Sequence, residues 1–191
     1  MKEPILESLL RKMRLKRVLP FLRRYPNCRL LDIGCGWEAK LLRTVEPYIA
    51  SGIGVDFKAP AIKTEKLETL SLTLQDNLTF EDESFDFIAM LAVMEHLEND
   101  EAILKECARL LRPGGGLLIT VPSWYAKPVL EFLSYKLNLI NPAEIRDHKR
   151  YYNHQDLVAL IHRVEGLHLK NHVYFQWRFN NLIFCEKIIN F

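Results

Sequence analysis

The chain lacks most of the features that would place it in a specialised class. Its four cysteines, Cys28, Cys35, Cys107 and Cys185, include no CxxC pair and stand at no metal-ligand spacing from a histidine. A disulfide framework or a zinc site is therefore not indicated, and buried thiols in a reducing cytosol are expected. The longest apolar run, Phe87 to Met94, is far too short to span a bilayer. The first 24 residues are basic and lack the apolar core of a secretory signal. A cytoplasmic location is expected. No HExxH and no clustered aspartate pair suggest a bound cation, so no metal is expected. No repeat or low-complexity tract is present.

What is present fits one globular domain over residues 1–191, with 49% hydrophobic and 26% charged residues. A chain of this size buries about 70% of its unfolded surface, so it needs no covalent staple. Net charge is only +2, but it is unevenly placed. Residues 1–24 form a basic leader with eight Lys/Arg against two Glu, leaving the remainder acidic. Such a helix can touch anionic membrane, nucleic acid or an acidic partner. It can equally be a solvated face on a helix that packs through Leu6, Leu9, Leu10 and Met13. The cluster Arg146 to Arg150 adds to the case for an anionic substrate.

The most informative stretch is LLDIGCGWEAKLLR, Leu30 to Arg43. It reads as a buried strand, a glycine turn at Gly34 and Gly36, and a helix start. The glycines let the backbone turn sharply and approach a ligand. Asp56 closes a second strand, SGIGVD, 20 residues beyond Gly36, where a carboxylate accepts hydrogen bonds from ribose hydroxyls. Gly34-x-Gly36-x-x-Ala39 also satisfies a dinucleotide pattern. A dinucleotide, however, brings a pyrophosphate that wants helix N–H groups and no nearby anion. Asp32, two residues before the first glycine, would repel it and attract a cation. S-adenosylmethionine carries an ammonium and a sulfonium and no phosphate, so the pair Asp32 and Asp56 favours it over NAD. A plain helix-entry role for Asp32 is the alternative.

With these residues on the page, DIGCG, GVD, FEDESFDFIAMLAVMEHL and LKECARLLRPGGGLLITVPS together resemble the class I S-adenosylmethionine-dependent methyltransferases, and within them the small-molecule, type 11-like group. The resemblance runs from about Arg29 to Ser123. It implies a Rossmann-like, doubly wound α/β sheet of about seven strands, mostly parallel with a C-terminal antiparallel hairpin, and helices on both faces. It implies S-adenosylmethionine as cofactor, with Asp32, Gly34, Cys35 and Gly36 along its methionine part and Asp56 on its ribose. Phe57 would stack on adenine or pack in the core. Asp76 or Asn77 would bond the adenine amino group, and Leu91 would run beneath the sulfur. Glu38 stands where the family commonly has a third glycine. The tetrapeptide Ala92 to Glu95 is not of the NPPY type, which argues against methylation of nucleic-acid bases or protein amides; no nucleic-acid partner is expected.

The element order alternates strand and helix. Strands are expected near 29–33, 52–56, 71–74, 84–91 and 117–121, and a hairpin near 168–175 and 181–187. Helices are expected from Ala39 to before Pro47, over 60–70 with Pro60 at its start, after the cap Asn99, and over 155–164 behind an Asn153/Asp156 capping box. The leader is expected to break at Pro20. From Pro122 to Tyr152 run 31 residues, a lid-like insertion over the acceptor or a helix that extends the core or makes a dimer. A base would be His148 or His96, histidine having the right unperturbed pKa. Either could instead make an ordinary hydrogen bond, or His148 an anion contact; Glu95 is a third candidate that reads rather as a surface acid. The implied activity is methyl transfer to a small-molecule or lipid- or sugar-linked acceptor, with oxygen favoured. The alternative is a non-catalytic partner protein that retains the fold. Oligomeric state is left open by the sequence.

Overall fold

A computed structural model describes residues 5–74, 78–135 and 148–189. The chain runs α1 (Ile5–Leu22), β1 (Arg29–Ile33), α2 (Lys40–Val45), β2 (Ser51–Asp56), β3 (Leu67–Ser71), β4 (Phe85–Leu91), α3 (Asp100–Leu110), β5 (Leu111–Pro122), α4 (Ala126–Tyr135), α5 (His154–His162), β6 (Leu167–Phe175) and β7 (Asn180–Lys187). Seven strands form one sheet in the order β3-β2-β1-β4-β5-β7-β6. The first five are parallel; β7 pairs antiparallel with both β5 and β6. This is the expected α/β architecture, including the closing hairpin. The strand order reverses between β1 and β4, and ligands of open parallel sheets sit outside the carboxyl ends at such a point.

Alternation along each strand splits the interior into two cores. In β1, Leu30 faces one side and Leu31 and Ile33 the other. One core packs α1 and α2 against Leu30, Phe87, Leu118 and Phe184. The other packs α3 and α5 against Ile88, Met90, Ile119 and Ile183. The basic leader is thus a layer of the domain, seated by Val18 and Leu22 on the sheet, with Phe21 and Tyr25 against Phe184. Leu9 is exposed instead. The expected break at Pro20 does not occur. Pro20 falls in the last turn, where losing one backbone N–H costs one bond, and the burial of Val18 and Leu22 holds the helix on course.

The helix expected over 60–70 is absent. Thr64 Oγ1 accepts from the N–H groups of Lys66 and Leu67, a side-chain turn that competes with helix. The chain reverses there, and Leu67 to Ser71 becomes the parallel partner of β2. The third strand therefore precedes its expected place at 71–74. Residues 111–115 join β5 through a register shift opposite Phe85 and Phe87, with Gly114 at φ +78. The caps are as expected: Asn99 accepts from Ala102 N, and Asn153 and Asp156 close a reciprocal capping box.

Candidate active site

The glycine turn at the end of β1 is fixed from three directions. Gly34 has φ +74, and a Cβ there would lie 2.1 Å from Val93 Cγ2, so no other residue fits without displacement. The N–H groups of Gly34 and Cys35 donate to Val55 O at 2.7 and 3.2 Å, which ties the turn to β2. Gly36, at φ +68, is different: a Cβ built on it would meet nothing within 4 Å, so its backbone borders open space. Its N–H donates to Asp56 Oδ2 at 2.9 Å, while Lys58 N donates to Oδ1 at 2.8 Å. Asp56 is thereby held at the tip of β2 with lone pairs left for further donors.

A crevice of about 140 Å³ opens beside the turn. Asp32, Gly34, Cys35, Gly36 and Leu91 line it, as does Trp37. Arg11, Arg14 and Leu15 of α1 close it from the other side. Asp32 is 2% exposed; burial, and then the charge of Asp56, push its carboxyl up to about 8. Its charge state is therefore ligand-dependent: a neighbouring cation ionises it. Arg14 Nε is buried with no hydrogen-bond partner among the described residues. Burial lowers the pKa of that guanidinium, and Glu95 opposes the shift. Arg11 pairs with Glu38 at 2.9 Å, so the acid that replaces the customary third glycine anchors the leader over the turn. The Cys35 thiol lies against Gly54 and donates to Gly36 O at 3.6 Å, and burial pushes it up to about 12.

Two expected contacts lie at the rim. Asp56 and Phe57 are not among the residues lining the enclosed space, and Phe57 is 63% exposed, with Lys58 Nζ 4.7 Å above its ring. Phe57 is thus not a core residue. Asp76 and Asn77 lie outside the described residues. The chain following them is anchored: Glu106 accepts from Leu78 N, and Arg109 donates to Leu78 O, Phe80 O and Asp82.

Beyond β4 the chain turns through Ala92, at φ +58, into a short 3₁₀ turn, Met94–His96. Glu95 is not a surface acid. It is 2% exposed, and burial pushes its carboxyl up to about 7. Its Oε2 has no hydrogen-bond partner among the described residues. The reason is tertiary: the segment following the insertion lies along this turn, with Lys149 N donating to Glu95 O at 2.8 Å and Tyr152 N to Pro122 O at 3.3 Å. That segment sets the His148 ring 4.9 Å from the His96 ring. A Glu95 carboxylate oxygen and a ring nitrogen from each histidine all lie within 4.8 Å of one another. Sequence spacing does not disclose this cluster, because His148 stands 52 positions beyond His96.

A second cavity, about 610 Å³, adjoins this segment. Trp124, Lys127, His148, Tyr151, Leu160 and Arg163 are among its walls. Of the cations expected to favour an anionic substrate, Arg146 lies outside the described residues, while Arg150 pairs with Asp100 at 2.6 Å and Lys149 with Glu98 at 2.9 Å. Tyr152 donates to Asp100 Oδ2 at 3.0 Å, which pins the segment to the start of α3. The crevice-lining residues Arg11, Arg14 and Leu15 carry no motif of their own. Their signal is the continuation of the buried stripe Val18 and Leu22 back along α1 at i, i+3, i+4 spacing.

The crevice suits S-adenosylmethionine by its donors and by its space. Arg14 offers an unsatisfied buried N–H to a carboxylate, Asp32 a buried acid to an ammonium, and Gly36 an open approach. The enclosed volume is below the usual ligand-pocket range of about 300–1,000 Å³, so it has room for only part of such a ligand, with the rim at Asp56 and Phe57 beside it.

Comparison with known proteins agrees. The methyltransferase domain family matches residues 31–119. A ubiquinone biosynthesis O-methyltransferase from Xylella fastidiosa is 30% identical over 157 residues, 76% of this chain and 63% of that protein. The chain spans 60–67% of the length of the first three curated relatives it matches. Among solved structures, a Bacillus halodurans protein assigned as a methyltransferase shares the fold at TM-score 0.73, 13% identity, 92% of this chain and 99% of that one. A SAM-dependent methyltransferase from Methanosarcina mazei does so at TM-score 0.59, 18% identity, 90% and 98%. Residues 31–119 thus carry a methyltransferase domain, on the fold of solved S-adenosylmethionine-dependent methyltransferases.

Proposed function

We propose that the chain methylates an oxygen of a small-molecule or lipid-linked acceptor bound in the cavity beside Trp124 and His148. One observation carries this reading: the crevice and the cavity meet at a single cluster. Arg14 belongs to the crevice and faces Glu95; His148 stands against Glu95 and lines the cavity. A transferred group needs such a junction between two adjacent compartments. The oxygen preference draws on the curated relatives, which are named as ubiquinone biosynthesis O-methyltransferases.

Bound in the crevice, S-adenosylmethionine supplies a methyl carbon on a sulfonium, whose sulfur departs with the bond pair as an uncharged thioether. The residues have three tasks. Asp32, Arg14 and Asp56 orient the donor through its ammonium, carboxylate and ribose. Leu91, Trp37 and the α1 wall exclude water, because a displacement with a good leaving group depends chiefly on alignment and a dry path. His148, or His96 beside it, takes the proton from the acceptor hydroxyl so that the oxygen attacks with more charge.

The test is transfer of a labelled methyl group to a panel of phenols with and without isoprenoid tails, alongside amine acceptors. Label recovered in an aryl methyl ether is the expected product. Transfer confined to amines would contradict the oxygen assignment.

A further inference from the structure

The cluster Glu95, His96 and His148 is more than a proton relay in its composition. We propose that it is a binding site for one divalent first-row transition cation of the zinc, cobalt or iron type. Three ligand atoms, one carboxylate oxygen and two imidazole nitrogens, converge within 4.8 Å. Two histidines and one carboxylate make up the protein ligands of open zinc and iron sites, which keep positions for water or substrate. Imidazole ligands select this class of ion over magnesium or calcium, which take oxygen.

A second observation points to the same place. Glu95 is buried, yet its Oε2 has no hydrogen-bond partner among the described residues. A buried carboxylate oxygen without a partner is costly, and a cation bound to it removes that cost. The outer contacts also fit. The His148 Nδ1 lies 3.3 Å from the Tyr151 hydroxyl, a contact of the kind that orients a ligating imidazole and presents its Nε2 to an ion. The short turn that carries Glu95 and His96 is held by Lys149 N on Glu95 O, so the ligands from β4 and from the far side of the insertion are locked in register. Arg14 faces Glu95 from α1 and opposes a cation there, which limits the affinity.

The site stands whether or not the acceptor is a phenol. If it is, a hydroxyl coordinated at an open position loses its proton to solvent more readily, which supplements or replaces the histidine base.

The experiment uses the full chain, freed of any affinity tag and treated with chelator, titrated with Co2+ to about 100 μM at a pH where imidazole is neutral. The expected result is one equivalent taken up, with visible absorption from a nitrogen- and oxygen-ligated ion. Glu95→Gln and His148→Ala should each weaken uptake by at least about 100-fold. Wild-type protein that takes up no Co2+ overturns the proposal, as do variants that bind as tightly as wild type. S-adenosylhomocysteine binding, measured on the same samples, separates the two readings. Cofactor bound without Co2+ removes only the cation site, and Co2+ bound without cofactor removes only the crevice assignment. It also serves as the folding control for both variants, since neither residue lines the crevice.

Discussion

The two compartments at the carboxyl end of the sheet are built in opposite ways. The crevice takes most of its wall from one local stretch, Asp32 to Leu41, and the Asp56 carboxylate beside it accepts a hydrogen bond from Gly36 N. The larger cavity takes its wall from the start of α3, Trp124 and Lys127 at the start of α4, residues 148–152, and α5 with Arg163. A local device is written in consecutive residues and tolerates little change at each. A distributed one depends on contacts between distant segments, each of modest worth. The difference implies a steep mutational profile on one side and a shallow one on the other.

The largest effect expected is at Gly34. Gly34→Ala places a methyl 2.1 Å from Val93 Cγ2 at φ +74, and it should destabilise the fold by about 3–5 kcal/mol. Urea unfolding measures this. A loss near zero would mean that the turn is adaptable and that the contrast with the cavity is false. Next is Arg14→Ala, which removes the α1 contribution to the crevice. Cofactor affinity should fall by about 1.5–3 kcal/mol, the scale of a charge-assisted hydrogen bond. Titration calorimetry checks it, and unchanged affinity would return α1 to a purely structural role. On the distributed side, Tyr152→Phe removes one hydrogen bond to Asp100 and should cost only about 1 kcal/mol, read as a shift in the urea midpoint. A loss as large as that at Gly34 would erase the comparison.

The subtlest effect concerns protons. The Asp32 carboxyl is raised to about 8 in the fold, against roughly 4 in an unfolded chain. Between those values the folded state holds a proton that the unfolded state has lost. Stability from this group therefore falls as pH rises from about 4 toward 8 and levels off above. A ligand ammonium reverses the preference and ionises the acid. Binding of S-adenosylhomocysteine at pH 7 should thus release up to about one proton, seen by calorimetry in buffers of different ionisation enthalpy. Asp32→Asn should abolish the release.

The same contrast explains what was legible in the sequence. Asp32, Gly34, Gly36 and Asp56 announce themselves because strand, turn and acid follow a fixed spacing. The sheet follows from the alternation of elements, and the caps of α3 and α5 from their side chains. The third strand did not, because Thr64 makes a local turn inside a stretch whose composition suits a helix. Glu95 reads as exposed until Lys149 and Arg14 are brought over it. The meeting of His148 with His96 is a product of the whole fold, since no local signal links two residues separated by α3, β5 and the insertion.

The account rests most heavily on the crevice holding a positively charged adenosyl donor. Titration calorimetry of the full chain with S-adenosylmethionine and, separately, with NADH tests it directly. One equivalent of S-adenosylmethionine bound, weakened by Asp56→Ala, and no heat from NADH is the predicted result. Binding of NADH with no response to S-adenosylmethionine would contradict it.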